Sequence, residues 1–382
     1  MLVDQCMLDS RRFVHGGNGF HDSSERSAGR DPLPSFRSCS WSGFDRRSNL
    51  RPVIGRALLA FLASLAFAFC SSDSRADELS DAKDHFRHGR YDECHAAAVH
   101  AIESRRWGDD WHLLKGQCEF LRGENTATIE TVQAGLQRFA WSIRLRLLGR
   151  KAALQRGDTE RATAWLQETA QLAERTPWRY TDVDNLLALG EAALLFEADA
   201  RDVLEAFYER ARGLSAERVE PLIAIGELAL SKGDLEFASD IFGQAARLSS
   251  DHPDVQLGLA KSCEEGDPLR SGAALSAALK SNPQHPPSLI YQAQRQLRRE
   301  EYSAAEDWLG KVHALNPDHS EAWALKSVIS LLTNQPDRAQ QYREKAFGQW
   351  KQNPLVDTII GRELAAKYRF GEAAVFLRQA VA

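Results

Sequence analysis

The chain has 382 residues, 43% of them apolar and 26% charged, with a net charge of −5. That apolar content supports a substantial core, and the mildly acidic balance excludes the basic field that dominates nucleic-acid affinity. Good helix formers (Ala, Leu, Glu, Arg and Gln) fill long stretches, while Val-Thr-Tyr runs bounded by turn signals are scarce, so the pattern predicts an all-α protein.

Residues 1–50 mix Ser, Arg, Gly and Pro without apolar periodicity and read as a disordered extension. RPVIGRALLAFLASLAFAFCSSDSRADELSDA follows. Arg51 and Arg56 precede an apolar heart, Ala57–Cys70, and Ser74-Arg75-Ala76 is a small-x-small cleavage pattern. This is the layout of a secretory signal peptide over 51–76, predicting export to a periplasmic or extracellular space. A retained membrane anchor is the alternative, although the apolar heart is shorter than the ~20 residues a spanning helix needs. Beyond the cleavage point only Cys94, Cys118 and Cys263 remain. They read as small buried residues in helix interfaces, with a Cys94–Cys118 bridge as the alternative in an oxidising compartment.

From residue 77 onward small residues recur. Gly226, Ala260, Ala293, Ser327 and Gly361 are separated by 34, 33, 34 and 34 residues. A second series follows each by about a dozen residues: Ala238, Ser271, Ala305, Ala339 and Ala373. Four and seven residues further come positions such as Phe242 and Ala245, or Leu309 and Val312, which share one helix face. The series continues upstream through Ala192, Gly149, Gly116 and Ala82, and breaks step once, at 171–184. Each copy therefore reads as helix, short turn, helix. Gly89, Gly157, Gly233 and Asn334 mark turns inside copies, and Pro253, Pro283, Pro317 and Pro354 fall between them. A lone hairpin cannot bury its apolar face, but stacked hairpins can.

The order small, turn, small, large, small, Pro at this period resembles the tetratricopeptide repeat. Val219–His252 is the best copy and Pro286–His319 the next. The resemblance spans about nine copies, looser over 77–184, stronger over 185–382, with the last copy incomplete. It implies an α-solenoid, a superhelix of stacked antiparallel helix pairs. Arg343 and Lys351 depart from it, standing where a large apolar residue and Pro are usual. Asn-Pro-x-His, at 282–285 and 316–319, reads as punctuation between copies rather than as a metal stripe.

The resemblance also implies a concave groove lined by the first helix of each copy. Its candidate protein-binding residues are Gln117, Arg150, Glu227, Lys261, Gln294, Arg298 and Arg362, beside a more apolar row with Phe120, Ala153, Leu230 and Leu297. Such a groove suits a protein or peptide segment with alternating anchors. Trp178 and Tyr180, in the insertion, are further interface candidates, Trp178 alternatively plugging the widened gap between copies.

Catalytic templates fail throughout: H-E-x-x-H, C-x-x-C, G-x-S-x-G and the phosphate loop do not occur. The His85, His88, His95, His100 cluster reads as a polar outer face. We therefore expect no catalytic residue, metal or cofactor, no nucleic-acid role, and no evident small-molecule substrate. Val375, Leu377 and Val381 would face the place of a next copy, which a further domain or a partner could cover. Two readings stand: a non-catalytic interaction scaffold, or, as a resemblance to secreted repeat arrays that precede a catalytic domain implies, the accessory front part of an exported zinc-peptidase-like hydrolase.

Overall fold

The computed structural model describes residues 78–381; the expected extension and signal segment lie outside them. Eighteen helices form nine consecutive pairs, and the described residues contain no strand. Pair one is α1 (78–87) and α2 (Tyr91–Glu103); pair two, α3 (Asp110–Leu121) and α4 (Asn125–Arg138); pair three, α5 (Ile143–Gln155) and α6 (Thr159–Arg175). Pair four joins α7 (Val183–Leu195) to α8, which runs from Ala200 to Leu214 through a π-turn at Leu204–Tyr208. Then come α9 (Glu220–Lys232) with α10 (Leu235–Leu248), α11 (Pro253–Cys263) with α12 (Pro268–Ser281), and α13 (Pro286–Arg298) with α14 (Tyr302–Leu315). The last pairs are α15 (Ser320–Leu332) with α16 (Pro336–Phe347) and α17 (Pro354–Ala366) with α18 (Phe370–Ala380).

Local chemistry sets these boundaries. Asp158, Asp182, Asp234 and Asp267 cap their helices by accepting a hydrogen bond from a first-turn backbone N–H. Pro occupies the first turn of seven described helices, where its missing N–H costs nothing. Between copies, Asn282 and Asn316 accept from the backbone two residues on, at 3.0 Å each, and Asn353 does the same at 3.1 Å. His252, His285 and His319 are the residues before α11, α13 and α15. The Asn-Pro-x-His motif is therefore a turn followed by a helix start.

The small residues do the packing expected of them. Ala238, Ala260, Ser271, Ala293, Ala305, Ser327, Ala339 and Ala373 are all buried. Phe242 shows why nothing larger fits: it lies against both Gly226 and Gly258, and a Cβ at Gly226 would come within 2.6 Å of its ring. Interior density this high leaves little room for an added methyl. Each pair thus covers the apolar side of its neighbour, and Leu309, Val312, Leu325, Val328, Val356 and Ile360 form one cluster spanning three pairs.

Two departures have physical answers. Arg343 replaces an apolar residue because it finds a buried carboxylate: Nε and Nη2 each lie 2.7 Å from Asp357, and the guanidinium stacks on Phe347 and Phe376. The insertion lengthens α6 and adds a 3₁₀ turn at Pro177–Arg179. Its gap is filled by Tyr180, 1% exposed, whose hydroxyl donates to the Trp141 carbonyl at 2.8 Å; Trp178 stays on the surface, 71% exposed. Cys94, Cys118 and Cys263 are buried free thiols.

The array also meets itself. Asn282, before pair seven, donates from Nδ2 to the Arg87 carbonyl and the Tyr91 hydroxyl of pair one, both at 3.1 Å. Asn316 lies against Gly123 of pair two in the same way, and the Gln349 carbonyl against Gly157 of pair three.

Candidate functional site: the inner wall

The first helices of successive pairs present their starts to a common interior. There the charges interlock from pair to pair. Arg144 donates to Asp109 at 2.7 Å and Asp110 at 2.9 Å, and Arg218 donates to Asp184 at 2.6 Å and lies 3.1 Å from Glu220. Arg144 also comes within 3.7 Å of Asp184, so pairs two to five are stitched by one chain of ions. Further round, Asp254 lies 3.0 Å from His285 and 3.8 Å from His252. Successive copies therefore bring two histidines to one carboxylate, a closer approach than the repeat spacing suggests. Among the described residues, no set of three His, Cys, Asp or Glu side chains is placed to hold a metal ion. These helix starts, with Tyr91, Gln117 and Asn282, line a cavity of about 390 Å³.

Deeper along the helices, charge is left unpaired. Glu227 and Glu321 have neither hydrogen-bond nor ion-pair partner among the described residues, and one carboxyl oxygen of Glu363, 7% exposed, is buried without a partner. Burial in the walled interior raises the pKa of all three; Asp254 adds to the effect at Glu227, and Glu363 to that at Glu321. Glu227 is nevertheless exposed and Glu321 half-buried, so only Glu363 of the three is shut away from water. Lys261 is the cation in electrostatic reach of Glu227, Asp254 and Glu321, and its ammonium sits 5.7 Å from the Tyr291 ring centroid. Arg298 and Lys367 are the corresponding cations for Glu363.

Of the residues expected in the groove, Gln117 lines the cavity, Glu227 and Lys261 share the deep wall, and Arg298 neighbours Glu363. Arg150 is half-buried, its charged form disfavoured by burial and supported by Glu191; Gln294 is half-buried and Arg362 exposed. The expected apolar row is divided: Ala153 and Leu297 are buried, while Phe120 and Leu230 are half-buried. Sequence reasoning missed the Lys151–Glu191 pair (2.9 Å), Asp254, Glu321 and Glu363. Asp254 and Glu321 each stand two residues after a copy-ending His, a recurring acidic position that could have shown them.

A scan against protein-family models gives no match, and a search of curated proteins gives none. Among solved structures, the crystal structure of the APC/C hetero-tetramer Cut9–Hcn1 aligns at 15% identity with a TM-score of 0.52, over 77% of this chain and 57% of that one. This chain thus spans little more than half the length of that neighbour. MamA aligns at 20% identity and a TM-score of 0.30, over 41% and 92% of the two chains. Yeast Tom70 aligns at 13% and 0.39, over 81% and 76%. The fold is a tetratricopeptide-type α-solenoid, in the order of elements and in its likeness to Cut9–Hcn1.

Proposed function

We propose that the array is a scaffold that holds a segment of a protein partner against its inner wall. The observation that carries this reading is the unpaired charge there. A buried carboxyl oxygen without a partner, as at Glu363, is costly in a free protein, and the water-facing Glu227 and Glu321 are open to basic side chains of a partner. Glu227, Glu321 and Glu363 face this situation on three different pairs, with Lys261 and Arg298 between them. A segment carrying basic side chains and a matching acidic one fits the alternation. Interfaces use such charge complementarity for specificity and register more than for raw affinity. A solenoid offers the long surface this needs, each pair contributing one step.

The test is capture by residues 78–382 from the same cells, compared with the double charge exchange Glu227→Lys/Lys261→Glu and with a change on the outer side, Glu236→Lys. The proposal predicts that specific partners bound by the wild type and the outer variant are lost from the exchange variant, at unchanged melting temperature. Equal capture by all three would overturn it.

A further inference from the structure

We propose that a glycine seam locks the first turn of this solenoid onto the second, fixing its winding and shutting its interior from the side. Three contacts carry the inference. The turns inside pairs one, two and three are Gly89, Gly123 and Gly157, with φ of 78°, 79° and 71°. Against each sits the loop that precedes pair seven, eight or nine: the Asn282 side chain, the Asn316 side chain, and the Gln349 carbonyl. The separation from Gly123 to Asn316 repeats that from Gly89 to Asn282, and that from Gly157 to Gln349 is one residue shorter. One contact has become a ladder, advancing a copy at a time.

The residue choice shows that the seam is specified. A Cβ on Gly89 or Gly123 would overlap the Asn amide oxygen, and one on Gly157 would stand 2.6 Å from a backbone oxygen that cannot swing away. Of the corresponding left-handed turn positions that meet no such loop, four carry Glu197, Glu300, Asn334 and Tyr368, and one carries Gly233. A left-handed φ alone therefore does not demand glycine here; close approach does. The tooth is equally fixed. Asn282, 1% exposed, spends its amide nitrogen on Arg87 and Tyr91 of pair one and its oxygen on its own turn. His88 adds an exposed contact, 3.6 Å from Asp251.

The consequence is conformational. Tetratricopeptide-type stacks can wind or unwind by small rotations between pairs. A seam that ties pair one to pair seven removes that freedom for the first turn. Entry to the 390 Å³ cavity beside Tyr91 and Asn282 is then from the ends, or after the seam opens. The seam itself stands apart from the partner reading, since it is a property of the free protein.

The test uses the free protein with spin labels at Arg90→Cys and Gln284→Cys, on the two sides of the seam. Wild type should give one short, narrow distance distribution. Gly157→Leu, remote from both labels, and Asn282→Ala should each broaden it and move it to longer distance. Gly233→Leu is the control: its φ is 77°, but nothing lies within 4 Å of its Cβ position, so it carries the same backbone strain without a seam. Unchanged distances in both Gly157→Leu and Asn282→Ala would overturn the proposal. So would broadening by Gly233→Leu equal to that by Gly157→Leu. Should Gly157→Leu not fold, Asn282→Ala decides alone, because it introduces no left-handed strain.

Discussion

His319 shows how much one side chain can reveal. Its Nδ1 accepts from the Ala322 backbone N–H at 3.4 Å, capping α15, and burial holds its pKa down to about 4. Protonation would replace the acceptor with a donor and place a positive charge at a helix start, where the dipole opposes it. Between pH 6.5 and 4 the unfolded chain binds this proton and the folded one does not, so stability falls as pH falls through that window. His313, stacked 4.1 Å from Trp323 beside Lys326 and Lys345, is lowered to about 4 and acts in the same direction. His319→Asn keeps a capping oxygen without the titration. Its melting temperature should decline less than that of wild type from pH 6.5 to 4.5; equal declines would contradict the cap. Arg343 makes a second residue-level case. Arg343→Leu strands the Asp357 carboxylate, 4% exposed, and should cost about 3–5 kcal/mol in urea unfolding. Arg343→Leu/Asp357→Leu should recover most of that loss, whereas additive losses would show that the two residues act separately. The sequence marked Arg343 only as a misfit, because its partner fourteen residues on belongs to another pair.

At the scale of the element, the sequence was informative wherever the period held. Small residues at Ala238, Ala305 and Ala373 announced the close helix contacts, since only a small side chain lets two backbones approach. Ala305→Trp should overpack α14 and lower stability by ~1–3 kcal/mol or more. An unchanged thermal melt would contradict that placement. Legibility failed where the period was interrupted. The segment at 171–184 gave two aromatic candidates, and nothing local distinguishes Tyr180, which finds the distant Trp141 carbonyl, from Trp178, which remains on the surface. Part of the apolar groove row lies in the core for a related reason. A helix inside a stack touches neighbours on two sides, so a position one turn from the small residue, such as Leu297, is already core.

For the array as a whole, the fold was readable and the interior was not. Periodicity gives each pair's contact with the next pair, but says nothing of how far the stack rotates per step. The Gly89–Asn282 contact depends on that rotation, accumulated over more than five pairs, and so do the meetings of Lys261 with Glu227 and Glu321. In sequence, Gly89, Gly123 and Gly157 looked like ordinary turn residues; only the winding gives them a second role. Val375, Leu377 and Val381, expected on an uncovered face, are 47%, 37% and 87% exposed. None of this surface is long and apolar enough in any described helix to cross a membrane.

The most direct measurement is residue-specific chemical footprinting of the free protein and of its complex with a partner captured as above. Carboxyl and amine labelling should fall at Glu227, Glu321 and Lys261 when the partner is bound, and stay constant at Glu236 on the second helix of its pair. Protection confined to that outer residue, with the three inner groups as reactive as before, would contradict an inner-wall scaffold.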